Sequence, residues 1–376
     1  MFVLYNLLVL LAGIFVKLAA KFSPKMKLFV DGRKKVFTIL EQQISASDKT
    51  IWFHAASLGE YEQGLPVIER IKQEFPHYKI ILTFFSPSGY EVRKNNVVAD
   101  VTVYLPLDTD ANAKRFIELV HPDFAFFVKY EYWPNYLKYL ARAKTPTYLI
   151  SGIFRSNQLF FKWYGGFYRK ALETFTYFFV QNSASKDLLA SIGKNNAAVS
   201  GDTRFDRVAA ILEKDNTLGF IADFKAGKPT VVVGSSWPKD EEILVDYINA
   251  TANDVKFIIA PHNIKPEQIL LLKNNVKKKA VLFSEKDNQA LADFDVFIID
   301  TVGILTKIYS YADIAYVGGG FGNPGVHNIL EPATFGVPII IGPNYSHFAE
   351  ATALVDLGGC IAVPDRQQLN NALENL

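Results

Sequence analysis

Cysteine is almost missing from this chain, and its scarcity is the first limit on the chemistry. Cys360 is the single cysteine among 376 residues, so an intrachain disulfide and a cysteine-rich metal cluster are both excluded. This cysteine content fits a reducing compartment. The HExxH, EF-hand and Walker A patterns are absent as well, and no segment repeats. The sequence therefore offers no motif for a metal site, and we expect none.

A strong charge of one sign is also missing. The formal net charge is +2, which gives no overall nucleic-acid signature, and we expect no nucleic-acid partner. Hydrophobic residues make up 49% and aromatic residues 14% of the chain, which excludes a disordered or low-complexity protein. A chain of 376 residues is long enough for two domains that each bury a core.

One long apolar run stands out at the N-terminus. Residues 2–16 are apolar except for Asn6, and basic residues follow them: Lys17, Lys21, Lys25, Lys27, Arg33, Lys34 and Lys35. A secretory signal peptide carries its positive charge before the apolar run, so this order argues against one. The run favours membrane association, as a short anchor or as a helix in the inner leaflet, with the basic flank on the cytoplasmic side. A buried first helix of the domain is the alternative.

Apolar runs that end in polar turns recur along the rest of the chain. They predict strands at 51–55, 79–84, 101–105, 124–128, 147–150, 177–180, 230–233, 257–260, 296–299, 313–317 and 337–341. Strands at this spacing with helices between them imply parallel, doubly wound sheets. We therefore predict an α/β protein with two Rossmann-like domains facing a cleft. The expected parts are a membrane-associating segment at 1–30, an N-terminal domain at 31–205, a hinge at 206–228 and a C-terminal domain at 229–376.

The stretch 316–350 is the most informative part of the chain. A buried strand ends at Gly318, Gly319 and Gly320, a helix is predicted to open within 327–331, and a second apolar strand follows. Polar groups at the carboxyl end of a parallel strand lie where open α/β sheets bind ligands. The embedded Glu-Pro-Ala-x-x-Gly-Val-Pro motif is similar to the nucleotide-sugar site of two-domain (GT-B) glycosyltransferases.

Four motifs follow one another in a specific order, at 54–60, 131–135, 201–206 and 325–332. Together they resemble the 3-deoxy-D-manno-octulosonic acid (Kdo) transferases of Gram-negative lipopolysaccharide synthesis, over nearly the whole chain. The resemblance implies a GT-B fold and transfer of Kdo from CMP-Kdo to a lipid A precursor (lipid IVA), with inversion at the anomeric carbon. It also implies a transfer step without metal or other cofactor, at the cytoplasmic face of the inner membrane.

The resemblance assigns roles to single residues. Glu60 matches the family's catalytic base, and a sugar hydroxyl with its high pKa needs such a base nearby. A carboxylate like that of Glu331 can accept hydrogen bonds from both ribose hydroxyls, and glycines let backbone amides approach a phosphate. The donor would be held by Ser236, Pro261, His262, Gly319, Gly320, His327, Asn328 and Glu331, and the acceptor by Ser57, Lys129, Glu131 and Trp133. Helix capping or packing is the alternative for Glu60, His327 and Trp133.

Several positions depart from the family pattern. Lys129 stands where the family often has Glu, His262 where it more often has Arg, and Ile304 where Glu is common. Arg155 is displaced by two positions from the family's Asn-Ala-Arg segment. These departures leave the acceptor details open. The chain ends soon after the donor motif, at Leu376, and we expect either a truncated sequence or a sheet edge that is finished differently.

Two other functions stay open from the sequence. One is another GT-B enzyme, either a different lipid-linked glycosyltransferase or a UDP-sugar 2-epimerase, although an epimerase needs no apolar N-terminus. The other is a non-catalytic, membrane-tethered nucleotide-binding protein. The altered positions Lys129 and Ile153 keep it possible, and the retained Glu60 and Glu331 count against it. A dinucleotide-dependent oxidoreductase is disfavoured because no GxGxxG follows the first strand. The number of Kdo residues transferred is not encoded in these motifs.

Overall fold

Two parallel sheets, one in each half of the chain, form the framework of the protein. The computed structural model describes residues 1–323 and 325–375, and tertiary contacts divide the chain into two units, Met1–Arg207 and Val208–Leu376. The strands of the first unit are β1 Thr50–Ala55, β2 Lys79–Phe84, β3 Val101–Tyr104, β4 Phe124–Val128, β5 Thr147–Gly152, β6 Tyr177–Val180 and β7 Ala197–Val199. Those of the second are β8 Thr230–Ser236, β9 Lys256–Pro261, β10 Ala280–Leu282, β11 Val296–Ile298, β12 Ile314–Val317, β13 Ile339–Ile341 and β14 Cys360–Ala362.

Helices fill most of the chain between these strands. In the first unit they are α1 Phe2–Ala19, α2 Pro24–Arg33, α3 Val36–Gln43, α4 Leu58–Glu74, α5 Pro87–Arg93, α6 Asp110–Val120, α7 Pro134–Ala143, α8 Gly166–Leu172, α9 Ser183–Ser191 and α10 Arg204–Ala209, whose last residues belong to the second unit. The second unit continues with α11 Gly219–Lys225, α12 Pro238–Ala250, α13 Pro266–Asn275, α14 Leu305–Ile308, α15 Leu330–Thr334, α16 Ala349–Asp356 and α17 Arg366–Asn375.

Both sheets are doubly wound. The strand order is β3-β2-β1-β4-β5-β6-β7 in the first unit and β10-β11-β9-β8-β12-β13-β14 in the second, and the central strands pair in parallel. The order reverses between β1 and β4, and again between β8 and β12, and ligands bind outside the carboxyl ends of the strands at such reversals. The predicted α/β architecture with two Rossmann-like sheets is confirmed.

Each sheet is buried on both faces, as a parallel sheet covered by helices requires. In β1 the neighbouring residues Trp52 and Phe53 point to opposite faces and belong to two separate apolar clusters. In β8, Val232 and Val233 are divided between two clusters in the same way. The continuous apolar runs of the sequence follow from this double burial.

The predicted strands are all present, and the strands that sequence patterns missed are β7, β10 and β14. Each of these has three residues and lies at the edge of its sheet. A three-residue edge strand is too short to show a clear alternation of apolar and polar residues. The helix expected to open within 327–331 begins at Leu330, inside that range, and His327 lies before it. The predicted hinge at 206–228 contains α11 and the end of α10.

Helix α1 lies largely exposed on the first unit. Among its residues only Gly13 is buried, while Leu7, Leu8 and Leu11 are more than half exposed. The helix is long and apolar enough to cross a membrane by length and composition. The alternative of a buried first helix does not agree with this exposure. The end of the chain at Leu376 lies outside the described residues.

Candidate active site

Glu60 occupies the junction between β1 and α4 in the first unit. Ser57 caps the helix: its Oγ accepts a hydrogen bond from the Glu60 N–H at 3.4 Å. In return, Glu60 Oε2 accepts hydrogen bonds from the backbone N–H groups of Ala56 and Ser57. This reciprocal capping box holds the carboxylate in place at the carboxyl end of a strand next to the reversal of the sheet. Glu60 therefore has a structural role whatever its chemistry.

The surroundings of Glu60 favour its neutral form. The residue is 5% exposed, and burial, followed by the charge of Glu131, raises the pKa of its carboxyl from 4.5 to about 8. The backbone N–H groups of Ala56 and Ser57 and the charge of Lys129 oppose this increase in pKa. A carboxyl with a pKa near neutrality is suited to take up and release a proton during catalysis.

Trp133 ties Glu131 to a buried histidine. Its indole Nε1 lies 2.9 Å from Glu131 Oε2 and 3.0 Å from His54 Nε2. The other ring nitrogen of His54, Nδ1, lies 2.9 Å from Thr83 Oγ1. Because an indole N–H can only donate, we assign the imidazole proton to Nδ1, facing Thr83. The carboxylate of Glu131 is thus oriented through a network that reaches into the core of the sheet.

Sequence reasoning assigned Trp133 to an acceptor sugar and did not include His54 or Thr83 among the site residues. The structure directs the indole N–H of Trp133 to Glu131 and His54, and places its ring against Phe85 at a centroid distance of 4.6 Å. His54 could have been identified from the sequence because it is the first residue of the 54–60 motif. A histidine near the end of a buried strand is unusual unless its ring nitrogens have partners.

A pocket of about 700 Å³ opens beside Glu131 and Trp133. Arg155 and several aromatic side chains line it, including Tyr5, Tyr130 and Tyr168. Lys129 directly precedes Tyr130, which lines this pocket. It adopts the left-handed backbone conformation at φ 72°, which is uncommon for a residue other than glycine. Its Nζ lies 5.3 Å from the centroid of the Tyr130 ring.

In the second unit the predicted donor residues His262 and His327 stack on each other. The two imidazole rings lie 4.4 Å apart between centroids. Trp237 donates from Nε1 to His327 Nε2 at 2.7 Å, and the planes of these two rings differ by 11°. His262 also stacks on the indole of Trp237 at 4.8 Å. Burial lowers the pKa of both histidines below the ordinary value, so both rings are mainly neutral at neutral pH.

Asp240 connects the glycine-rich loop to this stack. Its carboxylate is fully buried. Oδ2 accepts hydrogen bonds from the backbone N–H of Gly319 at 2.8 Å and of Trp237 at 2.9 Å, and Oδ1 accepts one from the Tyr316 hydroxyl at 2.7 Å. The sequence-based site residues did not include Asp240 and Trp237, since their contacts with Gly319 and His327 join positions far apart in the chain. The Gly319 N–H, expected to face a phosphate, is already bonded to Asp240.

The glycines of this loop are required for close backbone approach. A Cβ on Gly320 would lie 2.7 Å from the backbone of Gly342, and a Cβ on Gly318 would lie 2.5 Å from Ser235 O. Gly319 has a φ of 94°, in the region that favours glycine. The loop can therefore pass close to β8 and to the turn after β13 only with glycine at these three positions.

The remaining predicted donor residues lie around the ends of the same strands. Glu331 accepts hydrogen bonds from Thr306 Oγ1 at 2.8 Å and from Asn328 Nδ2 at 3.0 Å. Ser236 is buried and donates from Oγ to Glu241 Oε1 at 2.9 Å. Pro261 ends β9 and precedes His262, whose N–H donates to Ser236 O at 2.9 Å. The second unit thus collects these side chains beside its sheet reversal, and their roles stay a prediction.

The family model and the similar proteins of known sequence agree on one family. The family model described as 3-deoxy-D-manno-octulosonic-acid transferase (kdotransferase) matches residues 31–207. A 3-deoxy-D-manno-octulosonic acid transferase of Aquifex aeolicus is 30% identical over 303 residues, which are 79% of this chain and 76% of the relative. The chain belongs to the Kdo transferases. A Chlamydophila psittaci Kdo transferase is 28% identical over 86% of this chain and 77% of its own length.

Solved structures agree with the GT-B fold of this Kdo transferase. UDP-GlcNAc 2-epimerase from Neisseria meningitidis, bound to UDP-GlcNAc, matches with a TM-score of 0.57 at 14% identity, covering 87% of this chain and 91% of the epimerase. The MurG protein of Acinetobacter baumannii matches with a TM-score of 0.53 at 13% identity, covering 87% and 90%. At such low identity these likenesses describe the fold alone. Family membership makes this chain an enzyme of the glycosyltransferase class.

Proposed function

We propose that this Kdo transferase moves Kdo from CMP-Kdo to a lipid A precursor, lipid IVA, with inversion at the anomeric carbon and with Glu60 as the general base. One observation carries the proposal. Glu60 is a buried carboxyl held by a capping box, and its pKa is raised to about 8. A carboxylate that only caps a helix does not need to be buried beside a second carboxylate. Burial and the second charge both favour the neutral carboxyl, and a neutral carboxyl caps a helix less well.

The proposed chemistry is a single displacement. Glu60 uses Oε1 to take the proton of an acceptor hydroxyl, because Oε2 is occupied by the backbone N–H groups of Ala56 and Ser57. The acceptor oxygen forms a bond to the anomeric carbon of Kdo as the bond from that carbon to the CMP phosphate oxygen breaks. CMP leaves with the electron pair of that bond. Lys129, whose charge acts on Glu60, stabilises the ionised base before the reaction.

The donor belongs to the second unit in this proposal. Glu331 accepts hydrogen bonds from the ribose hydroxyls of CMP, exchanging its present contacts with Thr306 and Asn328 for them. The stacked rings of His262 and His327 and the Gly320 amide contact the phosphate and the Kdo group. Because both imidazoles are mainly neutral, they act as hydrogen-bond donors rather than as permanent cations.

The acceptor belongs to the first unit and to a lipid surface. The pocket beside Glu131, Trp133 and Arg155 has room for a sugar headgroup at about 700 Å³. The exposed apolar residues of α1 fit the hydrocarbon side of a membrane, and the lysines that follow the helix fit its anionic headgroups. In this proposal the enzyme acts at the cytoplasmic face of the inner membrane.

The direct test is a transfer assay with purified protein, a CMP-Kdo generating system and lipid IVA, analysed by mass spectrometry. We expect a product heavier by one or two Kdo units, together with release of CMP. Incubation with UDP-GlcNAc serves as the second arm, and we expect no 2-epimer from it. Epimerisation without Kdo transfer would contradict the proposal, and so would tight CMP binding with no transfer to any lipid A precursor.

Replacement of Asp240 by Ala tests the donor site. Loss of the carboxylate leaves the buried N–H of Gly319 and the partly buried N–H of Trp237 without this partner, so the loop and the histidine stack lose their common support. We expect CMP binding to weaken by at least about tenfold, which corresponds to about 1.4 kcal/mol. The orphaned, buried N–H of Gly319 also lowers the free energy of unfolding by about 1–3 kcal/mol. Calorimetric titration with CMP, below the melting temperature of the variant, measures the first effect.

The matched control is Tyr316→Phe, which removes one partner of the same carboxylate and leaves both backbone contacts in place. We expect CMP affinity in this variant to stay within about threefold of wild type, because the backbone N–H groups of Gly319 and Trp237 keep their carboxylate partner. The lost hydroxyl-to-carboxylate hydrogen bond, worth about 1.5–3 kcal/mol, lowers the free energy of unfolding instead. Equal losses in the two variants would show that Asp240 acts through general stability and not through the loop.

A further inference from the structure

Asn6 is the single polar residue in the apolar run of the N-terminus, and the structure gives it two partners outside its own helix. Its Oδ1 accepts a hydrogen bond from the backbone N–H of Asp110 at 2.9 Å and another from Asn135 Nδ2 at 3.1 Å. Asp110 is the first residue of α6, and Asn135 lies in the first turn of α7. The amide of Asn6 therefore joins α1 to the starts of two helices of the first unit.

Tyr5, next to Asn6, makes a second polar contact. Its hydroxyl donates to Asp108 Oδ2 at 2.7 Å. Asp108 is buried and also accepts hydrogen bonds from the backbone N–H groups of Asn135 and Tyr136, each at 3.1 Å. Two turns further along α1, Gly13 packs so closely that a Cβ on it would lie 2.9 Å from Leu107 Cδ1. One face of α1 is thus fitted to the unit, while its leucines lie on the outside.

The contacts of Asn6 and Asp108 lie next to the turn at residues 131–133, which carries Glu131 and Trp133. Trp133 is the residue before α7, and it holds Glu131 through its indole N–H. Asn135 and Tyr136, which Asp108 and Asn6 hold, are two and three residues further along. Tyr5 itself lines the pocket beside Glu131 and Trp133, and its ring packs against Phe167 at 5.8 Å.

We propose that α1 is a fixed wall of the acceptor pocket: Tyr5 contacts the lipid acceptor, and Asn6 and Asp108 are positioning residues that hold the turn of Trp133 and Glu131. This inference rests on the proposed function, because it names the residues that present the lipid to that site. A helix that served as an anchor alone would gain nothing from Asn6, since a polar amide lowers its affinity for lipid. The clasp of Tyr5, Asn6 and Asp108 also keeps α1 against the protein with its leucines facing outward, as a helix lying on a membrane does.

Asn6→Leu separates the two roles of α1, because it removes the clasp and makes the helix more apolar. An anchor alone predicts unchanged or tighter membrane binding and an unchanged or lower KM for lipid IVA. The clasp predicts a KM for lipid IVA raised by about fivefold or more, as expected for a lost hydrogen bond, with kcat within about twofold. Tyr5→Phe should raise the same KM in the same way. The assay uses the full chain in lipid nanodiscs.

Ala12→Leu is the matched control, because it adds apolar surface to the exposed face of α1 and leaves the clasp intact. We expect wild-type KM and kcat in this variant. Hydrogen exchange of the peptides 108–112 and 133–137 is the second measurement and needs no turnover. We expect faster exchange in Asn6→Leu and Tyr5→Phe and no change in Ala12→Leu.

Wild-type kinetics and wild-type exchange in Asn6→Leu and Tyr5→Phe would overturn the inference. A wild-type chain that transfers no Kdo would instead contradict the proposed function. In that case the difference in exchange between Asn6→Leu and Ala12→Leu still decides whether α1 holds the turn at residues 133–137.

Discussion

Glu60→Gln is expected to lower the rate of Kdo transfer by about 10²–10⁴-fold, the usual contribution of a general base. Binding of CMP should stay within about twofold of wild type, because the donor is assigned to the second unit. Gln has the size of Glu, and its carbonyl oxygen can still accept the backbone hydrogen bonds of Ala56 and Ser57. An amide cannot take up the proton of the acceptor hydroxyl, so the chemistry is lost while the helix cap remains.

The stability of Glu60→Gln separates catalysis from folding. Burial and the neighbouring charge of Glu131 both act against an ionised Glu60. Replacing the carboxyl of Glu60 by an amide should therefore not lower the melting temperature at pH 8. Glu69→Gln, in an exposed position of the same helix, is the matched control and should transfer Kdo at the wild-type rate. Mass spectrometry of the lipid product gives both rates. Transfer by Glu60→Gln at more than about a tenth of the wild-type rate would rule out Glu60 as the base.

The transfer rate is expected to rise with pH up to about 8 and then to level off. Only the ionised form of Glu60 can accept a proton, and the pKa of its carboxyl is raised from 4.5 to about 8. Below that pH the ionised fraction falls roughly tenfold per unit, so it is about a tenth at pH 7 and about a hundredth at pH 6. The rate rises with pH because Glu60 acts as a base. If Glu60 acted as a general acid, the rate would fall as the pH rises through its pKa. The measurement is kcat over KM for lipid IVA from pH 5.5 to 9.5 at saturating CMP-Kdo.

Glu131→Gln should shift the rising part of the pH–rate profile to lower pH, by on the order of one unit. The charge of Glu131 is the second cause of the raised pKa of Glu60, and Gln removes the charge while its oxygen can still accept the Trp133 N–H. The maximal rate also falls if Glu131 orients the acceptor. The quantity to compare is therefore the pH at which the rate reaches half of its maximum, and not the maximal rate. A rising part that stays in place or moves to higher pH would contradict the coupling of the two carboxyl groups.

The strands and the catalytic candidate were accessible from the sequence because their signals are local. A buried parallel strand is a continuous apolar run, and the 54–60 motif contains both halves of the Ser57 and Glu60 capping box. Within the predicted range 327–331, the exact first residue of α15, Leu330, was not accessible. Asn328 could open a helix by its residue type, but its Oδ1 accepts from the Leu330 N–H and its Nδ2 binds Glu331. Because both polar atoms of the Asn328 side chain are used in these bonds, the helix begins at Leu330 and not directly after Asn328.

The sequence by itself determined the fold class, the family motifs and the residue types that stand at the ends of the parallel strands, since these depend on neighbours within a few positions. Only the tertiary structure decided which of these groups share a hydrogen bond or influence each other's charge. Trp133 reaches His54, and Asp240 reaches Gly319, across 79 positions in each case. Such contacts depend on the order of strands in a sheet and leave no periodic trace in the chain. The raised pKa of Glu60 has the same origin, because burial and the charge of Glu131 exist only after β1 and β4 have paired.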